Sequence, residues 1–195
     1  MARLRVAALI SGRGSNLQAL IDACGQQDFP AEIVLVVSNV PGAAGLERAA
    51  RAGIATRTID HRAFQGREPF EDTLDAALSA ARAELVCLAG FMRILTTPFV
   101  QRWQGKLINI HPSLLPKYPG LDTHARAIAD GEAFAGCTVH YVVPEVDAGP
   151  TIVQASVRIR PNDTAATLAA RVLKVEHRCY PLALQLIAEE RAAAL

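Results

Sequence analysis

The chain has 195 residues, of which 51% are hydrophobic and 20% are charged. This balance excludes an intrinsically disordered chain, and the length is enough for one domain with a substantial core. Twenty Lys and Arg residues against 19 Asp and Glu residues give a formal net charge of +1, so the basic excess typical of proteins that bind nucleic acid or a membrane surface is absent.

The first half of the chain alternates short apolar runs with segments of helical apolar spacing. Residues 4–10 are almost continuously apolar, as in a strand that is buried on both faces of a parallel sheet. Further strands are predicted at residues 32–37, 56–59 and 85–89, and helices at residues 16–24, 45–52 and 69–83. The alternation predicts a doubly wound, Rossmann-like α/β fold, in which helices flank a mostly parallel sheet.

After residue 91 the pattern changes. A strand at residues 107–110 runs into a Pro-rich segment, and a helix is predicted at residues 123–129. Two extended runs, at residues 137–143 and 151–159, predict an antiparallel pair joined by a short loop. Residues 164–195 predict a long helix that is broken or kinked at Pro181. We therefore expect a single domain over residues 1–195, with a phosphate-binding half up to about residue 100 and a catalytic half with a C-terminal extension after it.

The cysteines and the apolar segments predict a soluble protein of the cytoplasm. The four cysteines lie far apart along the chain, so no CxxC pair indicates a structural zinc site or a redox dithiol. The apolar run at residues 4–10 is short for a signal peptide, and no apolar run is long enough to span a membrane.

A glycine-rich turn, residues 11–16, joins the first predicted strand to the first predicted helix. Glycines let the backbone approach an anion closely, and a helix N-terminus offers unpaired N–H groups, so the turn predicts a phosphate site. Ser15 or Asn16 is expected to cap the helix. The turn is not a GxGxxG loop, because Leu17 occupies the position of the third glycine, and no GK[ST] sequence follows. A tight turn with a capped helix is the purely structural alternative.

Asn109 and His111 stand two residues apart at the end of a predicted strand, so both side chains are expected on one face of the sheet. At the carboxyl edge of a parallel sheet, that face opens toward the usual ligand crevice. An amide beside an imidazole suits a carbonyl that becomes a tetrahedral oxyanion, because both groups donate to the developing charge. A structural histidine at a strand end is the plain alternative.

A loop between the last two predicted strands carries two carboxylates, Glu145 and Asp147. One of them is a candidate partner that keeps His111 protonated. Spacing alone does not choose between the two, and a solvated turn is the structural alternative.

The remaining histidines carry no recognisable motif. His140 is predicted on a strand, where a hydrogen-bonded structural histidine is the safer interpretation. His61, His124 and His177 show no HxxxH or HExxH spacing, so no catalytic metal is expected. No Ser or Cys lies in a GxSxG-type turn, which argues against a covalent acyl-enzyme.

Several segments together resemble the phosphoribosylglycinamide formyltransferase family over nearly the whole chain: ISGRGSNLQALIDA, LAGFMRIL, LINIHPSLLPKYPGLDTH, GCTVHYV, VDAGP and EHRCYP. LAGFMRIL and NIHPSLLP are typical of the wider superfamily of folate-dependent formyltransferases and hydrolases. KYPG and the GxGSNL turn point to the glycinamide member. The resemblance implies a mononucleotide-binding parallel sheet with an added C-terminal part.

The resemblance also implies site residues. Asn109, His111 and Asp147 would be catalytic. The residues implied to bind glycinamide ribonucleotide are Gly14, Ser15 and Asn16 at the phosphate and Glu176 at the ribose. The residues implied to bind the co-substrate 10-formyltetrahydrofolate are Arg67, Met92, Arg93, Ile94, Leu95 and Asn109.

The implied reaction is a direct transfer in purine biosynthesis, in which the glycinamide amine attacks the formyl carbon. Asn109 and protonated His111 would stabilise the oxyanion, Asp147 would support His111, and no metal would take part. The expected partners are these two small molecules, without nucleic acid or membrane, and the chain is expected to be a monomer or a homodimer.

Three alternatives remain at this stage. A 10-formyltetrahydrofolate hydrolase usually carries an additional N-terminal regulatory domain, and methionyl-tRNA formyltransferase carries an additional basic C-terminal domain. A nucleotide-phosphate sensor would use the glycine-rich turn alone and would leave Asn109 and His111 unexplained.

Overall fold

The computed structural model describes residues 2–194, which form one seven-stranded mixed sheet between two layers of helices. The strands are β1 (Leu4–Ile10), β2 (Ala31–Ser38), β3 (Thr56–Thr58), β4 (Leu85–Leu88), β5 (Leu107–His111), β6 (Phe134–Tyr141) and β7 (Thr151–Arg158). The helices are α1 (Ser15–Cys24), α2 (Ala44–Arg51), α3 (Arg67–Ala80), α4 (Thr97–Arg102), α5 (Thr123–Ala129) and α6 (Ala165–Ala193), and a single 3₁₀ turn covers His61–Ala63.

The strand order is β3-β2-β1-β4-β5-β6-β7, with β1 to β5 parallel and β6 and β7 antiparallel to their neighbours. The chain moves outward from β1 to β3 and then returns to β4 on the other side of β1. The order therefore reverses between β1 and β4, the point at which ligands bind in open α/β sheets. The doubly wound fold with an antiparallel C-terminal pair is confirmed.

Successive side chains of β1 enter different layers, as the strand period of two requires. Val6 and Ala8 pack in a layer with α1, α2, α5 and α6, whereas Ala7 and Leu9 pack in a layer with α3 and α4. Both layers are apolar, which explains why the parallel strands are continuously apolar in sequence.

Most predicted boundaries lie within two or three residues of the observed ones, and the structure adds two features: an extra helix, α4, and a final helix without a break. The helix α4 was not expected, although Thr96 caps it and Pro98 lies in its first turn. The helix α6 is not broken at Pro181 but runs from Ala165 to Ala193. Its buried residues on both sides of Pro181 pack into the same layer, so tertiary packing offsets the lost backbone hydrogen bond. Leu195, the last residue of the predicted helix, lies outside the described residues.

The strand β6 begins at Phe134, earlier than the expected residue 137. The earlier start places Gly136 inside the strand, where a Cβ atom would lie 2.0 Å from the carbonyl oxygen of Ala155 on β7. Glycine is a poor strand former in general but permits this close approach of two backbones.

Candidate functional site

A cavity of about 810 Å³ opens at the carboxyl edge of the sheet. Its walls come from the loop after β4, the end of β5, the segment that leads into α5, and the loop between β6 and β7. Large exposed apolar side chains lie along it, namely Met92, Ile94, Leu121 and Val146. A cavity with apolar walls and a few polar groups is the usual form of a small-molecule site.

His111 and Asp147 form a buried pair in this cavity. The Nδ1 atom of His111 lies 3.3 Å from Oδ2 of Asp147, and both side chains are about nine-tenths buried. The Nε2 atom of His111 lies 2.9 Å from the carbonyl oxygen of Tyr118. Both ring nitrogens of His111 thus have an acceptor oxygen nearby, so a proton on either nitrogen has a partner.

The structure selects Asp147 over Glu145 as the partner of His111. Asp147 has a φ of 54° and accepts a hydrogen bond of 2.8 Å from the backbone N–H of Gly120, which fixes its carboxylate inside the cavity. Glu145 lies two residues earlier in the same loop and is exposed. Of the two carboxylates that the sequence offers, Asp147 is therefore the one that contacts His111.

Asn109 faces the same cavity as His111, as the strand alternation predicts. Its register partner on β6 is His140, and its Nδ2 atom lies 3.4 Å from Nε2 of His140. The Nδ1 atom of His140 lies 2.9 Å from the carbonyl oxygen of Tyr141, so this nitrogen carries the proton and Nε2 is left as an acceptor for the amide.

His140 is thus a site residue that the sequence interpretation missed. It is buried, and its Nε2 atom lies 3.7 Å from Oδ1 of Asp147. Burial lowers the pKa of His140, although the hydrogen bond to Tyr141 and the charge of Asp147 oppose the shift. Two histidines therefore flank one carboxylate, and burial favours the neutral form of His140. A prediction that β6 pairs antiparallel with β5 would have placed His140 beside Asn109.

The glycine-rich turn leads into α1 through Gly14, which has a φ of 71°. A Cβ atom on Gly14 would lie 2.7 Å from the Cα atom of Gly45, so only glycine fits. No side chain caps α1, and the expectation that Ser15 or Asn16 does so is wrong. The left-handed Gly14 occupies the cap position instead, and the first N–H groups of the helix remain without a side-chain acceptor.

Asn16 instead contacts α6. Its Nδ2 atom donates a hydrogen bond of 2.7 Å to Oε2 of Glu176, which is buried. Burial raises the pKa of Glu176, while the hydrogen bond from Asn16 and the nearby His111 oppose the shift. The predicted nucleotide residues Gly14, Ser15, Asn16 and Glu176 are thus brought together by the first turn of α1 and the middle of α6.

The residues predicted for the folate are brought together except for one. Met92, Arg93, Ile94, Leu95 and Asn109 all line the cavity. The guanidinium of Arg93 lies 5.9 Å from the ring centre of Phe70, in cation–π contact. Arg67 is exposed at the start of α3 and does not line the cavity.

Residues 2–194 show neither a metal-binding cluster nor a membrane-spanning helix. No group of three or more His, Cys, Asp or Glu side chains is arranged to hold a metal ion. No helix in this part of the chain combines the length and apolar character that crossing a membrane requires.

The fold and the site together define an α/β protein with an imidazole, a carboxylate and an amide in an apolar cavity. The family of formyl transferases matches residues 4–184, and the chain belongs to this family. The chain is 46% identical to the phosphoribosylglycinamide formyltransferase of Escherichia coli K12, over 96% of this chain and 89% of that protein. The crystal structure of phosphoribosylglycinamide formyltransferase from Brucella melitensis superposes with a TM-score of 0.92 at 52% identity, covering 95% of this chain and 96% of that one.

Longer proteins also match. The chain is 56% identical to the trifunctional purine biosynthetic protein adenosine-3 of Drosophila pseudoobscura pseudoobscura, over 95% of this chain and 14% of that protein. The human protein of the same name is 50% identical, and the chain spans 18% of its length. The chain therefore corresponds to a small part of these relatives.

Proposed function

We propose that this protein transfers the formyl group of 10-formyltetrahydrofolate to the amine of glycinamide ribonucleotide, a step of purine biosynthesis. The names and high similarity of the formyltransferase relatives support this reaction. The observation that carries it is the arrangement of Asn109, His111 and Asp147 on one wall of the cavity.

The two substrates would occupy adjoining regions. The apolar cavity suits the flat ring system of the folate against Met92, Ile94 and Leu95, with Asn109 at the inner end. Arg67 belongs to the same proposal, because its exposed guanidinium suits an anionic end of a folate that extends beyond the cavity.

The nucleotide would bind at the first turn of α1. Its phosphate would accept hydrogen bonds from backbone N–H groups at Gly14, Ser15 and Asn16, where the helix dipole favours an anion. Its ribose hydroxyls would donate to the carboxylate of Glu176, which Asn16 already holds in place. These contacts direct the amine toward His111, whose charge lies close enough to affect Glu176.

The chemistry follows from the charges in the cavity. The amine attacks the formyl carbon, and negative charge develops on the formyl oxygen. The Asn109 amide, which His140 orients through one N–H, donates its second N–H to that oxyanion, and the nearby positive charge of protonated His111, held by Asp147, stabilises it electrostatically. Asp147 keeps His111 charged and assists the transfer of the amine proton, through water, to the departing N10 of the folate. Neutral His140 accepts from Asn109 without adding a competing charge.

A formyl-transfer assay that follows the folate absorbance tests the proposal. Three acceptors are compared with 10-formyltetrahydrofolate as donor: glycinamide ribonucleotide, methionyl-tRNA and water. We expect turnover with glycinamide ribonucleotide alone and its loss in His111→Asn. Equal turnover with water would identify a hydrolase instead. Nucleotide binding that is unchanged in His111→Asn, without turnover in either protein, would identify a non-catalytic sensor.

A further inference from the structure

The hydroxyl group of Ser11 joins two loops that belong to different proposed substrate sites. Ser11 follows β1 and precedes residues 12–16, which we call the nucleotide loop. Its backbone N–H donates to the carbonyl oxygen of Gly90 at 3.0 Å, and its Oγ atom accepts from the backbone N–H of Met92 at 2.7 Å. Gly90 and Met92 belong to residues 90–96, which we call the folate loop. Ser11 therefore holds the folate loop at two points.

The hydroxyl proton of Ser11 has a defined acceptor. Because Met92 donates to Oγ, the hydroxyl is free to donate elsewhere, and Oδ1 of Asn39 lies 2.6 Å away. Asn39 follows β2 and is buried, and its backbone carbonyl lies 2.9 Å from Nδ1 of His61. The acceptor of the hydroxyl is thus held in place by its own neighbours, so the Ser11 side chain has one favoured orientation.

The nucleotide loop is connected to the same residue through the backbone. The carbonyl oxygen of Gly12 accepts from the N–H of Gly45 at 3.0 Å, and Gly14 packs against Gly45. A displacement of either loop at Ser11 is therefore passed to the other through short backbone segments. Ser11 lies where the strand order reverses, between β1 and β4.

We infer that Ser11 is a positioning residue that couples the two substrate sites, so that occupancy of one strengthens binding at the other. This inference rests on the proposed function. A nucleotide bound at the nucleotide loop restrains the segment that begins after Ser11, and it thereby further restrains Met92, to which the Ser11 hydroxyl is already hydrogen-bonded. The second ligand meets a loop that is already ordered and loses less conformational entropy on binding. By linkage, the coupling has the same size in both directions.

The folate loop offers a matched control at its other end. The backbone N–H of Thr96 donates to Oε1 of Glu71 at 2.8 Å, and the Thr96 hydroxyl donates to the second oxygen of the same buried carboxylate. Neither residue belongs to the nucleotide loop. Thr96→Val removes the hydroxyl at nearly constant volume, so it loosens the folate loop without changing the connection at Ser11.

The experiment is calorimetric titration with tetrahydrofolate, with and without saturating glycinamide ribonucleotide. This pair contains no formyl group, so no turnover disturbs the measurement. For the wild type we expect the Kd of tetrahydrofolate to fall by about tenfold when the nucleotide is present, within the usual range of coupling between sites. We expect a ratio of about twofold or less for Ser11→Ala, and a ratio near the wild-type one for Ser11→Thr, which keeps the hydroxyl.

Thr96→Val is expected to weaken tetrahydrofolate binding under both conditions and to keep the wild-type ratio. A second removal of the contact, Ser11→Cys, gives the test an independent variant in case Ser11→Ala folds poorly, and we expect it to lower the ratio as well. The inference is overturned by a wild type without coupling, or by a Ser11→Ala protein that couples like the wild type. Failure of the wild type to bind either ligand would overturn the proposed function itself, and the inference with it.

Discussion

Oδ2 of Asp147 lies 3.3 Å from Nδ1 of His111, although His111 ends the strand β5 and Asp147 belongs to the loop between β6 and β7. The same carboxylate accepts a hydrogen bond from the backbone N–H of Gly120, and its Oδ1 atom lies 3.7 Å from Nε2 of His140. The carboxylate of Asp147 thus lies between the imidazole rings of His111 and His140.

Asp147→Asn should lower kcat/KM for formyl transfer by roughly 100-fold or more, the scale of a lost general acid–base contribution. The amide removes the negative charge that favours protonated His111. The control is Glu145→Gln, which removes an exposed charge from the same loop and should change kcat/KM by less than about threefold. Steady-state assays of the two variants decide the matter, and an equal loss in both would mean that the loop acts only through its overall charge.

Glu176→Gln should raise the KM for glycinamide ribonucleotide by about tenfold, as expected when a hydrogen bond to a charged group becomes a neutral one. The KM for 10-formyltetrahydrofolate should stay nearly constant, since the folate cavity does not include this residue. Stability should not fall, because burial raises the pKa of Glu176 and so opposes its charged form. A lowered melting temperature together with equal changes in both KM values would show a structural role instead.

Gly14→Ala should destabilise the fold by more than about 1 kcal/mol, because an L-residue in the left-handed region is strained. The added methyl group would also meet the Cα atom of Gly45 at 2.7 Å. Gly12→Ala is the matched control, since a Cβ atom there meets nothing within 4 Å. Urea unfolding of both variants measures the difference, and similar losses of unfolding free energy would contradict the role assigned to Gly14.

The stability of the protein should fall as the pH decreases below the ordinary histidine pKa of 6.5. Burial lowers the pKa of His140 in the folded protein, so the unfolded chain binds a proton that the folded one resists. The folded state is therefore fully favoured above the unfolded pKa and loses stability below it. Burial lowers the pKa values of His124 and His177 in the same direction.

Urea unfolding between about pH 8 and pH 5 measures how the free energy of unfolding depends on pH. This dependence reports how many protons bind on unfolding, and His140→Gln should lower that number by up to about one. The comparison uses the slope and not the absolute stability, because the substitution also alters packing. A slope in His140→Gln equal to that of the wild type would mean that His140 takes up its proton equally in the folded and unfolded states.

Local sequence patterns were sufficient to predict the class of fold and to bring out candidate residues of the cavity. Continuous apolar runs report strands that are buried on both faces, and helical spacing between them reports the crossover helices, because both patterns depend on local periodicity. The alternation of Asn109 and His111 on one strand is equally local. The glycine-rich turn could be recognised because Gly14 must adopt a conformation that other residues avoid.

Contacts between residues that are far apart in the sequence became visible in the folded structure alone. The choice of Asp147 over Glu145 depends on how the loop after β6 folds back onto β5, and the place of His140 depends on the antiparallel register that sets it opposite Asn109. The continuity of α6 through Pro181 follows from packing on both sides of the proline. Strand order and register depend on packing contacts from the whole chain, so a short stretch of sequence does not predict them.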